Sequence, residues 1–181
     1  MKNKLVAVVG MCGAGKSEIT NLFIERGYTC IHFGDLTMDE LKRRGLPVNE
    51  ENEKTIREGI RKEYGKAAYA MLAVNKIDSL SGKDIVLDGL YSWSEYTLLK
   101  EKYKDMVVLA VITNGYIRKE RLKNRPIRPL TAEEVDGRDI SEIENLEKGG
   151  PIAKADYYIL NNADKDALVN SFNDFIAWLN K

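Results

Sequence analysis

Lys4-Leu5-Val6-Ala7-Val8-Val9-Gly10-Met11-Cys12-Gly13-Ala14-Gly15-Lys16-Ser17 runs directly into Glu18-Ile19-Thr20-Asn21-Leu22-Phe23. The aliphatic run from Leu5 to Val9 predicts a buried strand. Ile19, Leu22 and Phe23 recur at helical spacing and predict an amphipathic helix. Between the two stands Gly-x-x-x-x-Gly-Lys-Ser, in the strand–loop–helix context that a phosphate-binding loop requires. The residue types follow from the chemistry. Glycines let backbone N–H groups turn inward around phosphate oxygens where a side chain would obstruct them. The helix adds the positive end of its dipole. Lys16 has the reach for the outer phosphates, and the Ser17 hydroxyl is a hard ligand suited to Mg²⁺. Gly10, Met11, Cys12, Gly13, Ala14, Gly15, Lys16 and Ser17 are therefore the expected nucleotide-binding residues. A chance glycine-rich turn would not need the apolar strand before it and the amphipathic helix after it.

Outward from this loop, the 181 residues suit one domain, and 44% hydrophobic residues suffice for a core. Lys plus Arg and Asp plus Glu are 28 each, so no basic field points to nucleic acid. The absence of a long apolar run and of a leader pattern argues against a membrane partner and for a cytoplasmic protein. Cys12 and Cys30 make no disulfide framework, and one histidine argues against a zinc site. Cys12 lies in the loop's positive field, where a redox switch is one reading and a tolerated small side chain the other.

The first helix is expected over about Lys16 to Arg26, closed by Gly27. Tyr28 to Phe33 reads as a short buried strand ending in Gly34-Asp35-Leu36. At the carboxyl edge of a parallel sheet, Asp35 is a candidate base or acceptor-orienting residue, or else a helix N-cap. Thr37 to Arg44 and Asn49 to Tyr64 read as charged surface helices; Arg57 and Arg61 share a face and suit an acceptor phosphate. A core helix follows Gly65. It contains Asn75-Lys76-Ile77-Asp78, a guanine-reading pattern that belongs after a late strand and is out of place in a helix. Asp84 to Gly89 is a strand ending in Asp88-Gly89, where the carboxylate can organise Mg²⁺ near Ser17.

A helix follows to about Lys102, and Met106 to Ile112 is a further buried strand. Arg118, Lys119, Arg121, Lys123, Arg125 and Arg128 then crowd a short stretch. Arg118, Arg121 and Arg125 fall on one predicted helical face, and a loop is expected over Thr131 to Gly137. Such a basic, proline-broken excursion suits a lid over transferring phosphates. Ala155 to Asn162 reads as a last strand, and a helix from about Asp164 carries Leu168, Phe172, Phe175, Ile176 and Leu179. Five strands alternating with helices predict a three-layer α/β/α domain on a parallel sheet, spanning 1–181, with a helical acceptor-binding insertion over 35–65 and a lid over 115–150.

So assembled, the chain resembles the nucleotide-kinase branch of P-loop proteins, above all dephospho-CoA-kinase-like and adenylate-kinase-like NTPases. The resemblance rests on Val8 to Glu18, Gly34-Asp35, Arg61 with Glu63 and Gly65, Asp88-Gly89, Arg121 with Arg125, and Ile152 to Asn161. Tyr91 stands where relatives often have an arginine nearby, and the basic segment lacks the paired cysteines of zinc-bearing adenylate kinases. The resemblance implies phosphoryl transfer from ATP with Mg²⁺ to a small nucleotide-like acceptor such as dephospho-CoA or a nucleoside monophosphate. It implies Lys16 on the outer phosphates, Ser17 and Asp88 at the metal, and Asp35 at the acceptor with Arg57, Arg61 and Gly89. Arg121 and Arg125, helped by Arg118 or Arg138, would then stabilise the transferring charge. Shikimate- and gluconate-type kinases share the same core. A nucleotide-sensing regulatory NTPase without a small acceptor is the alternative, and a GTPase switch a third. A monomer or small homo-oligomer is expected.

Overall fold

A computed structural model describes residues 3–126 and 129–181; Arg128, counted in the basic stretch, lies outside them. Strands β1 (Leu5–Val9), β2 (Thr29–His32), β3 (Ile85–Asp88), β4 (Val107–Ile112) and β5 (Tyr157–Leu160) form a parallel sheet in the order β2-β3-β1-β4-β5. Interleaved with them are α1 (Lys16–Glu25), α2 (Phe33–Arg43), α3 (Glu50–Tyr64), α4 (Ala68–Ser79), α5 (Trp93–Lys102), α6 (Gly115–Lys123), α7 (Ala132–Glu144), α8 (Gly149–Ala153) and α9 (Lys165–Leu179). Among the described residues no helix is long and apolar enough to cross a membrane.

The strand order locates the site. β1 is flanked by β3 on one side and β4 on the other, so the chain must build outward in both directions from β1. The crevice that results at the carboxyl ends is where ligands bind in open α/β sheets, and the loop after β1 opens into it.

Alternation along β1 feeds two cores. Ala7 and Val9 face one layer with Leu36, Ile56, Ala70, Ala73 and Leu99, from α2, α3, α4 and α5. Val6 and Val8 face the other, with Ile19 and Phe23 of α1 and Leu168, Phe172 and Phe175 of α9. A central strand buried on both faces must be apolar at every position, which is why Leu5 to Val9 shows no polar alternation.

Local chemistry sets several helix starts. The Ser92 hydroxyl accepts from Glu95 N at 3.1 Å, and Glu95 Oε2 accepts from Tyr91 N at 2.9 Å and Ser92 N at 3.0 Å. This capping box is buried, so Ser92→Ala should cost about 1 kcal/mol. The check is a lower urea midpoint with an unchanged slope.

Three expectations need correcting. The strand at Tyr28 to Phe33 is shorter, and α2 begins already at Phe33, so Asp35 sits in the first turn of a helix. His32 is the N-cap residue and makes no side-chain cap, so Asp35 is not one either. Thr131 to Gly137 is not a loop. Thr131 accepts from Glu134 N at 3.2 Å while Glu134 accepts from Thr131 N at 2.7 Å, and buried Val135 anchors the turn, which carries α7 through Gly137. Arg125 lies beyond α6, which ends at Lys123, so it does not continue the face of Arg118 and Arg121.

Candidate functional site

The loop from Gly10 to Lys16 packs against the carboxyl ends of β4 and β5. Gly10 has φ +148°, and a Cβ there would fall 2.4 Å from the Val111 carbonyl oxygen. Gly15 has φ +97°, and a Cβ would fall 2.2 Å from Asn161 Nδ2. Both positions demand glycine, on conformational and on steric grounds. The loop is also tied from outside. Asn161 Nδ2 donates to Ala14 O at 2.8 Å, and Thr113 Oγ1 lies 3.0 Å from both Ala14 O and Asn161 O.

Gly15 caps α1 without a side-chain acceptor, which leaves the first N–H groups of α1 directed into the loop, the arrangement that suits an anion. Lys16 Nζ donates to Met11 O at 3.0 Å. Desolvation within the loop, reinforced by the positive charge of Lys148, pulls its ammonium down to about 8. A phosphate in the loop would add counter-charge to that of Glu142 and Asp88, which only partly offset the desolvation. Ser17, in the first turn of α1, is exposed.

Across the crevice, Asp88 ends β3 with a side chain only 15% exposed. It pairs in register with Val8 on one side and His32 on the other, so it stands between the loop strand and β2. His32 Nδ1 lies 3.1 Å from Asp88 Oδ2, and that hydrogen bond raises the imidazole above its ordinary value. Gly89 has φ +112°, and a Cβ there would meet Phe33 Cβ at 2.9 Å, so the turn after Asp88 packs against the start of α2. Exposed Asp35 lies close enough for its charge to act on His32. Among the described residues no three His, Cys, Asp or Glu side chains cluster as a cage. Ser17 and Asp88 each offer a hard oxygen donor of the kind Mg²⁺ takes.

The basic segment splits by role. Arg118 is buried; its Nη1 donates to Cys12 O at 3.0 Å, and its guanidinium pairs with Asp139 of α7. It thus ties α6 and α7 to the loop. Arg121 spans Thr113, Asn161 and Ala163 with contacts of 3.4–3.5 Å, beside a cleft of about 300 Å³ lined by Gly15, Glu18, Asn161 and Lys165. Arg138 Nε donates to Glu142 Oε1 at 3.2 Å. Arg57 pairs along its own helix with Glu53 at 3.1 Å. Arg61 stacks its guanidinium 5.4 Å from the Tyr69 ring centroid and acts electrostatically on buried Glu95. The crevice therefore brings together Gly10 to Ser17, Asp88, His32, Asp35, Arg118 and Arg138, and Arg121 lies on the Asn161 side of the loop.

Asn75-Lys76-Ile77-Asp78 lies on α4. Lys76 pairs with Asp39 at 2.5 Å, and Asp78 accepts from Lys102 Nζ at 2.6 Å and Tyr103 OH at 2.7 Å. These are helix-to-helix surface ties. Cys12 and Cys30 are both free thiols, and burial, then Asp88, pushes the Cys30 thiol up to about 11.

Four participants escaped the sequence reading. His32 hid inside a short apolar strand, and Thr113 followed one; a polar residue at the carboxyl end of a buried strand is the available signal. Glu142 and Lys148 gave none, since both sit in stretches that look like solvated surface.

The AAA domain family matches residues 6–146 of the chain. A UPF0200 protein of Thermococcus kodakarensis is 35% identical over 168 residues, covering 90% of each chain. Another, from Pyrococcus horikoshii, is 31% identical over 177 residues, covering 94% of this chain and 91% of that one. Among solved structures, a gluconokinase from Sinorhizobium meliloti superposes with a TM-score of 0.63 at 15% identity, covering 97% of this chain and 93% of that one. A shikimate kinase from Bacteroides thetaiotaomicron gives 0.61 at 17% identity, covering 98% and 99%. At such identities the two likenesses establish the fold, which is the P-loop kinase fold. With its loop, its strand order and these relatives taken together, the chain belongs to the AAA domain family and to the UPF0200 proteins.

Proposed function

We propose that the protein is an ATP-dependent phosphotransferase that moves the γ-phosphate of Mg²⁺·ATP to a small nucleotide-like acceptor, with dephospho-CoA and nucleoside monophosphates as the leading candidates. The observation that carries this reading is the juxtaposition across β1 and β3. An anion-binding loop with a desolvated lysine faces a strand-end carboxylate, and a histidine and a second carboxylate line the far edge. Phosphoryl transfer needs little covalent chemistry from the protein; it needs positioning and charge stabilisation, which is what this crevice offers.

In this reading the backbone of Gly10 to Gly15 and the start of α1 hold the phosphates, and Lys16 neutralises their outer charge. Ser17 and Asp88 would hold Mg²⁺, which would supply Lewis acidity toward the phosphate oxygens. Asp35 orients the attacking oxygen of the acceptor, deprotonating it where that oxygen is a hydroxyl as in dephospho-CoA, with His32 fixing the Asp88 carboxylate. Segment 35–65 serves as the acceptor-binding insertion, where Arg61 is better disposed than Arg57, whose charge Glu53 already engages. Segment 115–150 serves as the lid, tied to the loop through Arg118. Arg121, from the Asn161 side of the loop, and Arg138 stabilise the transferring charge; a role for Arg125 at the phosphates loses the helical-face argument it rested on. The gluconokinase and shikimate kinase neighbours support a hydroxyl acceptor on this fold, so shikimate and gluconate belong in any test.

That test is ADP release from Mg²⁺·ATP by purified protein, alone and with dephospho-CoA, each ribo- and deoxynucleoside monophosphate, shikimate and gluconate. One acceptor is expected to stimulate release by about a hundredfold or more, the scale set by orienting the two reactants. Tight ATP binding with slow release that no acceptor stimulates would instead indicate a nucleotide-sensing regulatory NTPase, and strong preference for GTP a switch.

A further inference from the structure

Lys148 is 1% exposed, and nothing in the reaction outlined above uses it. It stands at the junction between α7 and α8, where its backbone N donates to Glu142 O at 3.1 Å. Its Nζ donates to Glu142 Oε2 at 2.7 Å and lies 4.8 Å from the centroid of the Tyr91 ring. The other Glu142 oxygen accepts from Arg138 Nε at 3.2 Å. One buried carboxylate of the 115–150 segment is thus bracketed by two cations. The residue before Lys148 is under backbone strain. Glu147, φ +54°, is the one non-glycine among the described residues with a positive φ, and it pairs with Lys66 at 3.0 Å. Strain of this kind persists where surrounding contacts impose it, and the next residue, Lys148, is the buried one.

The cluster reaches the phosphate loop. Cys12 O, Arg118 and Asp139 form a continuous chain from the loop into α7, and Arg138 and Glu142 follow on the same helix. Lys16 and Arg118 both experience the charge of Glu142, and Lys16 that of Lys148. Charge bookkeeping is then informative. Lys16, Arg118, Arg138 and Lys148 bring four positive charges, and Asp139 and Glu142 return two. Asp88, the further carboxylate that acts on Lys16, returns a third, which leaves one positive charge in excess even before His32 is counted. Lys148 and Arg118 are buried while Arg138 is half exposed, so part of this positive excess is held out of water and is relieved when an anion joins it.

We propose that Glu142 is an internal stand-in for the transferring phosphate: it holds Lys148 and Arg138 at the mouth of the loop, and a bound polyphosphate displaces it and takes Lys148 as an additional phosphate-binding cation. Glu142 is then a positioning residue that competes with the ligand, and its charge sets how tightly phosphate binds. This rests on the phosphate-loop reading of the site and deepens it.

The experiment is calorimetric titration of the full-length chain with inorganic tripolyphosphate, with thermal unfolding as the check on folding. Glu142→Gln removes the competing charge and should tighten tripolyphosphate binding about fivefold or more. Glu142→Asp keeps a buried anion but shortens its reach to Lys148, so it should tighten binding in the same direction and decides the matter if Glu142→Gln does not fold. Lys148→Met should weaken binding about tenfold, the loss of one charge-assisted hydrogen bond. A Glu142–Lys148 pair that merely braces the segment predicts unchanged or weaker binding in folded Glu142 variants, and that result overturns the proposal. Wild-type binding that Lys16→Ala abolishes, with no tightening in the Glu142 variants, would sink only the displacement. Failure of the wild type to bind tripolyphosphate would sink the phosphate-loop reading with it.

Discussion

Replacing Lys16 by alanine is expected to lower acceptor-stimulated ADP release by about a thousandfold or more, the scale of losing a preorganised charge at a transition state. The structure adds a second, opposite expectation for stability. Lys16 is held at about 8, mainly by desolvation and then by Lys148, so its charged form destabilises the fold. A lysine whose folded value is depressed binds its proton more weakly than the unfolded chain does. Wild-type stability should therefore rise relative to Lys16→Ala as the pH climbs from about 8 toward 10.5, and be flat in this respect below 8. Urea unfolding of both proteins across that window measures it. Full activity in Lys16→Ala would refute the assignment of the loop. A stability gap with no pH dependence would show that Lys16 titrates normally.

Phe172→Ala should cost about 3–5 kcal/mol, the range for truncating a fully buried aromatic. Phe172 is 0% exposed and meets Phe23 edge-on with centroids 4.8 Å apart; Phe175 lies 6.3 Å away, and the Arg26 guanidinium sits 4.8 Å over its ring. These rings join α9 to α1, the helix that begins at the phosphate loop. Against a total stability of about 5–15 kcal/mol, such a loss brings the domain near the edge of folding. Denaturant titration should show the midpoint falling while tripolyphosphate still binds the folded fraction. A loss under about 1 kcal/mol would mean that the surroundings collapse into the vacated space.

The two expectations differ in how far the sequence supports them. Lys16 is legible because its motif carries its own geometry: strand, glycine loop and helix are contiguous, and local chemistry alone dictates their order. Phe172 is legible as core, from a helical stripe. Its partner Phe23 lies far away in the chain, and only the sheet order brings the two together. Asp88 was readable as a strand-end acid. That it stands between β1 and β2, with His32 against it, required the strand order. Arg118 shows the limit from the other side. As sequence it is one of several surface cations; in the fold it is a buried tie between Cys12 O and Asp139. The loop expected over Thr131 to Gly137 failed because Gly137 and the nearby prolines outweighed a capping box that was present in the sequence as Thr131 and Glu134.

By itself, then, the chain's sequence determined the parallel α/β class, the phosphate loop and the apolar faces of its helices, since each depends on periodicity or spacing within a short window. Tertiary structure alone decided the strand order, the pairing of His32 with Asp88 and the burial of Lys148 against Glu142. Charge on a side chain says nothing about what surrounds it; whether a lysine is solvated surface or a desolvated cation at a phosphate site depends on groups that only the folded chain brings within reach.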